Sequence, residues 1–133
     1  MECIPIGTIE TPYETSESIP RQGFHENAEG TVVLDEEYAP GLDGFAVGDH
    51  VLVLWEAHLA DRSVIDFPER DGGRGVFTTR SPARPNPIGV TRCVVTAVDG
   101  RRLAVKGVDM VSGSPVLDLK PPLDLRDDWN PPT

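Results

Sequence analysis

A chain of 133 residues with 38% hydrophobic and 26% charged side chains is sized for one domain with its own core, which excludes a disordered chain. No apolar run approaches the roughly 18 residues of a membrane-spanning helix, and 13 Gly with 13 Pro exclude a helical bundle as the default. A net charge of −10 argues against binding nucleic acid by bulk charge, yet from Arg70 to Arg92 five arginines (70, 74, 80, 84 and 92) face one acid, Asp71, so a cationic loop on an acidic body can still focus an anion.

In chain order, Ile4 to Ile9 and Thr31 to Leu34 read as strands, and Asp35 to Ala39 as a helical turn. Val51-Leu52-Val53-Leu54-Trp55 is a continuous apolar run, the pattern of a strand buried on both faces, and Asp61 to Phe67 reads as a further turn or two of helix. Val90 to Val98 is rich in β-branched residues, and in Arg101 to Val108 apolar and polar positions alternate. The Asp99-Gly100 pair between them signals a hairpin with a type I′ turn. These elements predict a mainly antiparallel β barrel over residues 1–122, with long loops and little helix. Residues 123–133 read as an acidic, proline-rich tail, partly mobile or draped on a partner.

The N-terminus lacks a basic region followed by an apolar stretch, so no secretion signal is expected. Cys3 and Cys93 stand far apart without metal-ligand spacing, and the three histidines are scattered, so the chain is read as a reduced, cytoplasmic protein without a metal site. Only Lys106 and Lys120 are lysines among 12 basic residues; an acid-rich, lysine-poor surface suits a high-salt cytoplasm, which suggests a halophilic archaeal source.

The chemistry concentrates in Arg80-Ser81-Pro82-Ala83-Arg84-Pro85-Asn86-Pro87-Ile88-Gly89, entered through Gly75-Val76-Phe77-Thr78-Thr79. Each proline fixes its own φ and biases the residue before it toward extended backbone. Arg80, Arg84 and Asn86 are thus presented with little freedom, which lowers the entropic cost of ordering them around a ligand. The two guanidinium groups suit a carboxylate or a phosphate through bidentate bonds.

The run Gly75 to Gly89 closely resembles the G-V-F-A-T-R-S-P-x-R-P-N-P-I-G-L signature of the TsaA-like (TrmO) family of tRNA methyltransferases. Other segments agree in order. Ile6-Gly7 with Ser18-Ile19-Pro20-Arg21-Gln22 resembles the family's early "I-G … P-R-Q" element, and Trp55 and His58 its "W-x-x-H". Asp109 through Ser114-Pro115-Val116-Leu117-Asp118-Leu119-Lys120-Pro121 is similar to the closing "D-x-x-x-G-T-P-V-L-D-I-K-P-Y". Ser114 stands for the usual Thr, Val90 for Leu, and Pro122 for a common aromatic that would stack on a base. Many bacterial members carry an extra C-terminal domain proposed to help hold tRNA, and this chain ends at Thr133.

The resemblance implies an S-adenosyl-L-methionine-dependent methyltransferase that works as a homodimer on tRNA, methylating the exocyclic amine of the threonylcarbamoyl-adenosine next to the anticodon of threonine tRNA. It implies a cofactor pocket lined by Pro20, Arg21, Gln22, His58, Leu59, Arg80, Val90 and the loop Asp109, Met110, Val111, Ser112 and Gly113. Arg84, Asn86 and Lys120 are candidates for holding the substrate, and Asp118 and Asp109 for polarising the amine. Alternatives stay open residue by residue. Arg21 also reads as a surface salt bridge, His58 as a core histidine, and Asp118 with Lys120 as a structural ion pair. His25 and His50 read as surface residues. A Gly-rich dinucleotide fingerprint is absent, which opposes a Rossmann-type methyltransferase. The rival functions are a methyltransferase with another acceptor and a non-catalytic module that binds S-adenosylmethionine or a nucleotide.

Overall fold

The computed structural model describes residues 1–19, 27–69 and 73–123. Six strands close into an antiparallel barrel: β1 (Gly7–Glu10), β2 (Glu29–Leu34), β3 (His50–Glu56), β6 (Ile88–Asp99), β7 (Arg102–Lys106) and β8 (Ser114–Lys120), in the order β1-β2-β7-β6-β3-β8. Two short strands, β4 (Asp66–Phe67) and β5 (Arg74–Gly75), pair outside the barrel, and the helical content described is limited to 3₁₀ turns at Ser16–Ser18, Glu36–Leu42 and Val76–Thr78. The mainly β expectation, an antiparallel barrel with little helix, is met.

Side chains of alternate residues fill the barrel: Ile9, Val32, Val51, Val53, Leu103 and Val105 are fully buried. Each contributes about 1.5–3 kcal/mol through the area it removes from water. Val51 to Trp55 departs from the expected burial on both faces. Val51 and Val53 point inward, whereas Leu52 and Leu54 are half-buried on the outside, because a closed barrel has one interior. The outer leucines stand opposite Arg92 and Lys120 at Leu52 and opposite Val90 and Asp118 at Leu54, and long basic side chains cover apolar surface with their stems.

Two other expectations are corrected. Asp61 to Phe67 forms no helix. The Asp61 carboxylate accepts from the Ser63 hydroxyl (2.6 Å) and backbone N–H (2.9 Å), bonds that compete with helical pairing and hold its carboxyl below the usual carboxylate range. The end of the segment becomes β4. The β6–β7 hairpin closes on the pair Asp99 and Arg102, so its two-residue turn is Gly100-Arg101 rather than Asp99-Gly100; Gly100 takes the first central position at φ +59°. Of the tail, only Leu123 lies within the described residues.

A register slip in the β3–β8 ladder decides which way the closing motif faces. Leu54 pairs with Asp118 but Trp55 with Val116, leaving Leu117 as an extra residue. Ser114 and Val116 therefore point inward, and the parity reverses beyond the bulge, placing Asp118 and Lys120 on the outside.

Candidate functional site

Three prolines, Pro82, Pro85 and Pro87, remove three backbone donors from the arginine-rich loop, and its carbonyls turn to guanidinium groups instead. Arg84 Nη1 donates to the carbonyls of Thr79 and Ser81, both at 3.0 Å, and Arg80 Nη2 donates to the Val90 carbonyl on β6. Arg62 Nε donates to the Pro85 carbonyl (2.9 Å), with its Nη2 3.4 Å from Asn86 Oδ1. The Thr79 hydroxyl donates to the Val76 carbonyl (2.9 Å) and accepts from the Ser81 N–H at 3.3 Å. The loop is stiffened by its own arginines as well as by its prolines.

This loop forms one wall of a cleft of about 810 Å³, within the size range of small-molecule sites. The opposite walls are the first half of β6, including Ile88 to Arg92, and the segment from Gly107 to Asp109. The cleft exists because β7 pairs with β6 only from Val94 onward, leaving that edge of β6 open toward Asp109. Arg80, Arg84 and Arg92 line it, and among the described residues none of them pairs with a carboxylate; Asp109 is the one acid in the lining. A chain of net charge −10 therefore carries a local cationic cleft.

Trp55 is shared between this cleft and a smaller hollow of about 220 Å³, lined mainly by apolar atoms of Ile19, Ala57, Leu59, Ala83 and Val111, with His58 beside them. The indole is held from two sides. Its Nε1–H donates to Thr91 Oγ1 (3.0 Å), and its ring lies against Gly89, where a Cβ would fall 2.1 Å from Cε2. Thr91 Oγ1 in turn lies 2.6 Å from Asp109 Oδ1. Behind them, burial and then the Asp109 charge push the Cys93 thiol up to about 12.

The structure brings Arg80, Arg84, Asn86, Val90 and Asp109 together in the cleft, and His58, Leu59 and Val111 in the hollow. Other expected site residues stand elsewhere. Met110 is fully buried in the core. Ser112 and Gly113 fasten their loop to the β1 end, through Ser112 Oγ accepting from the Thr11 N–H (3.1 Å) and the Gly113 N–H donating to the Ile9 carbonyl (2.8 Å). Asp118 and Lys120 form an ion pair at 3.2 Å on the barrel's outside, half exposed, and line neither cavity. Pro20, Arg21, Gln22 and His25 lie outside the described residues. Sequence reasoning missed Thr91, and it placed Gly89 and Arg92 only within the signature run and the cationic stretch, not as cleft residues. The available signal was Thr91, a hydroxyl that shares the inward parity of Cys93 and Val95.

The profile of the tRNA-methyltransferase O N-terminal domain matches residues 8–128, nearly the whole chain. The chain belongs to this family. A Halobacterium salinarum protein described as a probable S-adenosyl-L-methionine-binding protein is 51% identical over 126 residues, spanning 93% of this chain and all of that relative. The mouse tRNA (adenine(37)-N6)-methyltransferase is 35% identical over 130 residues, covering 88% of this chain and 30% of the mouse enzyme. A crystal structure of TrmO superposes with a TM-score of 0.81 at 32% identity; this chain is covered to 97% and spans 60% of that chain's length. Of the segments that resemble the family's motifs, the proline-spaced arginine loop, Trp55 and Asp109 line one cleft.

Proposed function

We propose that this chain is an S-adenosyl-L-methionine-dependent tRNA methyltransferase whose acceptor is the exocyclic amine of the threonylcarbamoyl-adenosine next to the anticodon of threonine tRNA. The observation that carries the reading is the convergence, in one cleft, of guanidinium groups that pair with no carboxylate among the described residues, with Asp109 as the one described carboxylate of the lining, beside an apolar hollow. The family match and the names of its relatives give the reaction class.

The donor set fits the cofactor, which offers a carboxylate beside an ammonium, an adenine ring and a sulfonium. A guanidinium carries five N–H donors, so Arg80 and Arg84 keep donors for a carboxylate or phosphate after binding their loop carbonyls. Asp109 offers the acceptor for an ammonium, a ribose hydroxyl or the adenine amine. Leu59, Ala83 and Val111 offer the apolar wall for an aromatic ring. When bound, the cofactor supplies an electrophilic methyl group on its sulfonium.

The adenine amine is a weak nucleophile because its lone pair is delocalised into the ring, so the protein's main contribution is alignment at near-attack distance. The braced loop provides that alignment. Asp109 serves that alignment by accepting a hydrogen bond from the cofactor's ammonium or ribose, and loss of the amine proton after transfer makes a strong base unnecessary. Arg92 and Asn86, on the cleft wall, suit the acceptor's phosphate and threonylcarbamoyl carboxylate.

Two further elements belong to this reading. The working unit is a homodimer, in keeping with the apolar rim of Ile88 and Val90, 45% and 40% exposed, beside the cleft. The source is a halophilic archaeon, in keeping with the acidic composition and the Halobacterium relative. A non-catalytic binding module is the second reading, favoured by the relative described only as a binding protein. Nucleoside mass spectrometry of tRNA from cells with and without the gene tests the choice. The proposal expects the methylated nucleoside to disappear without the gene; an unchanged pool contradicts it.

A further inference from the structure

Asp109, the one carboxylate among the described residues that line the cleft, is held by a chain of hydrogen bonds whose direction is fixed by chemistry. An indole nitrogen only donates, so the Trp55 bond to Thr91 Oγ1, 3.0 Å long, occupies an acceptor site of that hydroxyl. The hydroxyl has one proton of its own, and its remaining partner is Asp109 Oδ1 at 2.6 Å, the length of a hydrogen bond donated to a carboxylate. The chain therefore runs from Trp55 through Thr91 to Asp109. Thr91 is 6% exposed, on the inward parity of β6 that it shares with Cys93 and Val95. A hydroxyl at that place on the barrel wall is costly to bury unless both of its bonds are made.

Asp109 stands on a stretch of backbone that belongs to no strand and that runs from Gly107 toward the loop at Gly113. Its Oδ1 is engaged by Thr91, and Oδ2 has no partner among the described residues, in a side chain that lines the cleft. The rotamer of this carboxylate is thus set by a rigid strand rather than by its own segment. Trp55 is fixed in turn by Gly89, which admits the ring at a distance no larger residue allows.

We propose that Thr91 is a positioning residue for ligand binding: by donating to Asp109 Oδ1 while accepting from Trp55, it aims Oδ2 of Asp109 at a hydrogen-bond donor of the ligand in the cleft. The role rests on the functional reading above, since it presumes that the cleft takes a ligand with an N–H or O–H group beside Asp109. Thr91 is nearly buried in the cleft wall, with its hydroxyl engaged by Trp55 and Asp109. Its effect passes through the carboxylate.

Calorimetry with S-adenosylmethionine on wild type, Thr91→Val, Thr91→Ser, Asp109→Asn and the Thr91→Val/Asp109→Asn double variant tests this. The valine variant keeps the shape and removes the hydroxyl; it should bind about tenfold more weakly, the size of one lost hydrogen bond. Serine should restore most of the affinity. In the Asp109→Asn background, Thr91→Val should add nearly nothing, because the two act as one unit. The Trp55 indole N–H signal in a proton–nitrogen NMR spectrum of the ligand-free protein should move upfield in Thr91→Val and stay put in Thr91→Ser. If Thr91→Val does not fold, Thr91→Ala makes the same comparison without adding bulk. Equal affinity in wild type and Thr91→Val, or full additivity in the double variant, overturns the inference alone. Absence of binding heat in the wild type overturns the functional reading and this inference with it.

Discussion

Replacing Gly89 with alanine adds one methyl group at the point where β6 crosses the Trp55 ring. The added Cβ would meet Cε2 at 2.1 Å, Cζ2 at 2.4 Å and Nε1 at 2.6 Å, far inside van der Waals contact. Those atoms belong to a rigid ring rather than to a flexible tip, so the indole has to move as a body. Movement breaks its 3.0 Å bond to Thr91, and the Thr91–Asp109 link loses its anchor. Overpacking of this kind costs about 1–3 kcal/mol, and an indole N–H left without a partner costs about 1–3 kcal/mol more. Partial relaxation of the ring into the adjoining cavities brings the expected total to about 2–4 kcal/mol, or roughly 10 °C in Tm for a chain of this size. Thermal denaturation followed by circular dichroism measures the shift, and calorimetry with S-adenosylmethionine should show binding weakened in the same variant. A Tm within about 3 °C of wild type, with the Trp55 indole signal unmoved, refutes the reasoning.

Arg80→Ala removes both the Val90 bond and a cleft donor, so S-adenosylmethionine affinity should fall by about 1.5–3 kcal/mol in calorimetry, and Arg80→Lys should not restore it because the planar fork is lost. Asp118→Asn should change stability, read by thermal denaturation, by less than about 1 kcal/mol and leave ligand affinity unchanged, because its partner Lys120 is a half-exposed surface charge outside both cavities. The Cys93 thiol, raised from 9.0 to about 12, binds its proton more tightly in the folded state; stability from this group is complete below pH 9.0 and falls as pH rises toward 12. Chemical denaturation between those limits should show a shallower alkaline loss in Cys93→Ala than in wild type, and native thiol titration should label the exposed Cys3 ahead of Cys93. Light scattering should give about twice the 14.4 kDa chain mass; a monomer with full activity contradicts the dimer.

Five of the six barrel strands were legible because alternation and β-branched runs carry their own period, whereas β8, interrupted by Pro115 and its bulge, was read only as a motif; the hairpin was legible because Gly100 marks a backbone that turns with positive φ. The arginine loop was legible as chemistry, since prolines and guanidinium groups cannot be confused with a core segment. What sequence spacing did not reveal depended on register. The extra residue at Leu117 turns Asp118 from the inside to the outside of the barrel, and no local pattern around it announces the slip. The open edge of β6 is likewise a property of where β7 stops pairing, so the cleft wall at Thr91 and Arg92 was invisible until the strands were placed. Asp61 to Phe67 failed as a helix because a side chain two residues from Ser63 outcompeted the backbone, a contest that composition alone does not decide.

Methyl transfer to tRNA separates an enzyme from a binding module. Purified protein, at the salt concentration where it is folded, is incubated with methyl-labelled S-adenosylmethionine and tRNA carrying threonylcarbamoyl-adenosine, and the digested nucleosides are resolved by mass spectrometry. Label is expected on the exocyclic amine of that nucleoside in the wild type and is lost in Asp109→Asn. Intact cofactor binding with no label on any tRNA nucleoside would contradict the enzyme reading and leave a binding module in its place.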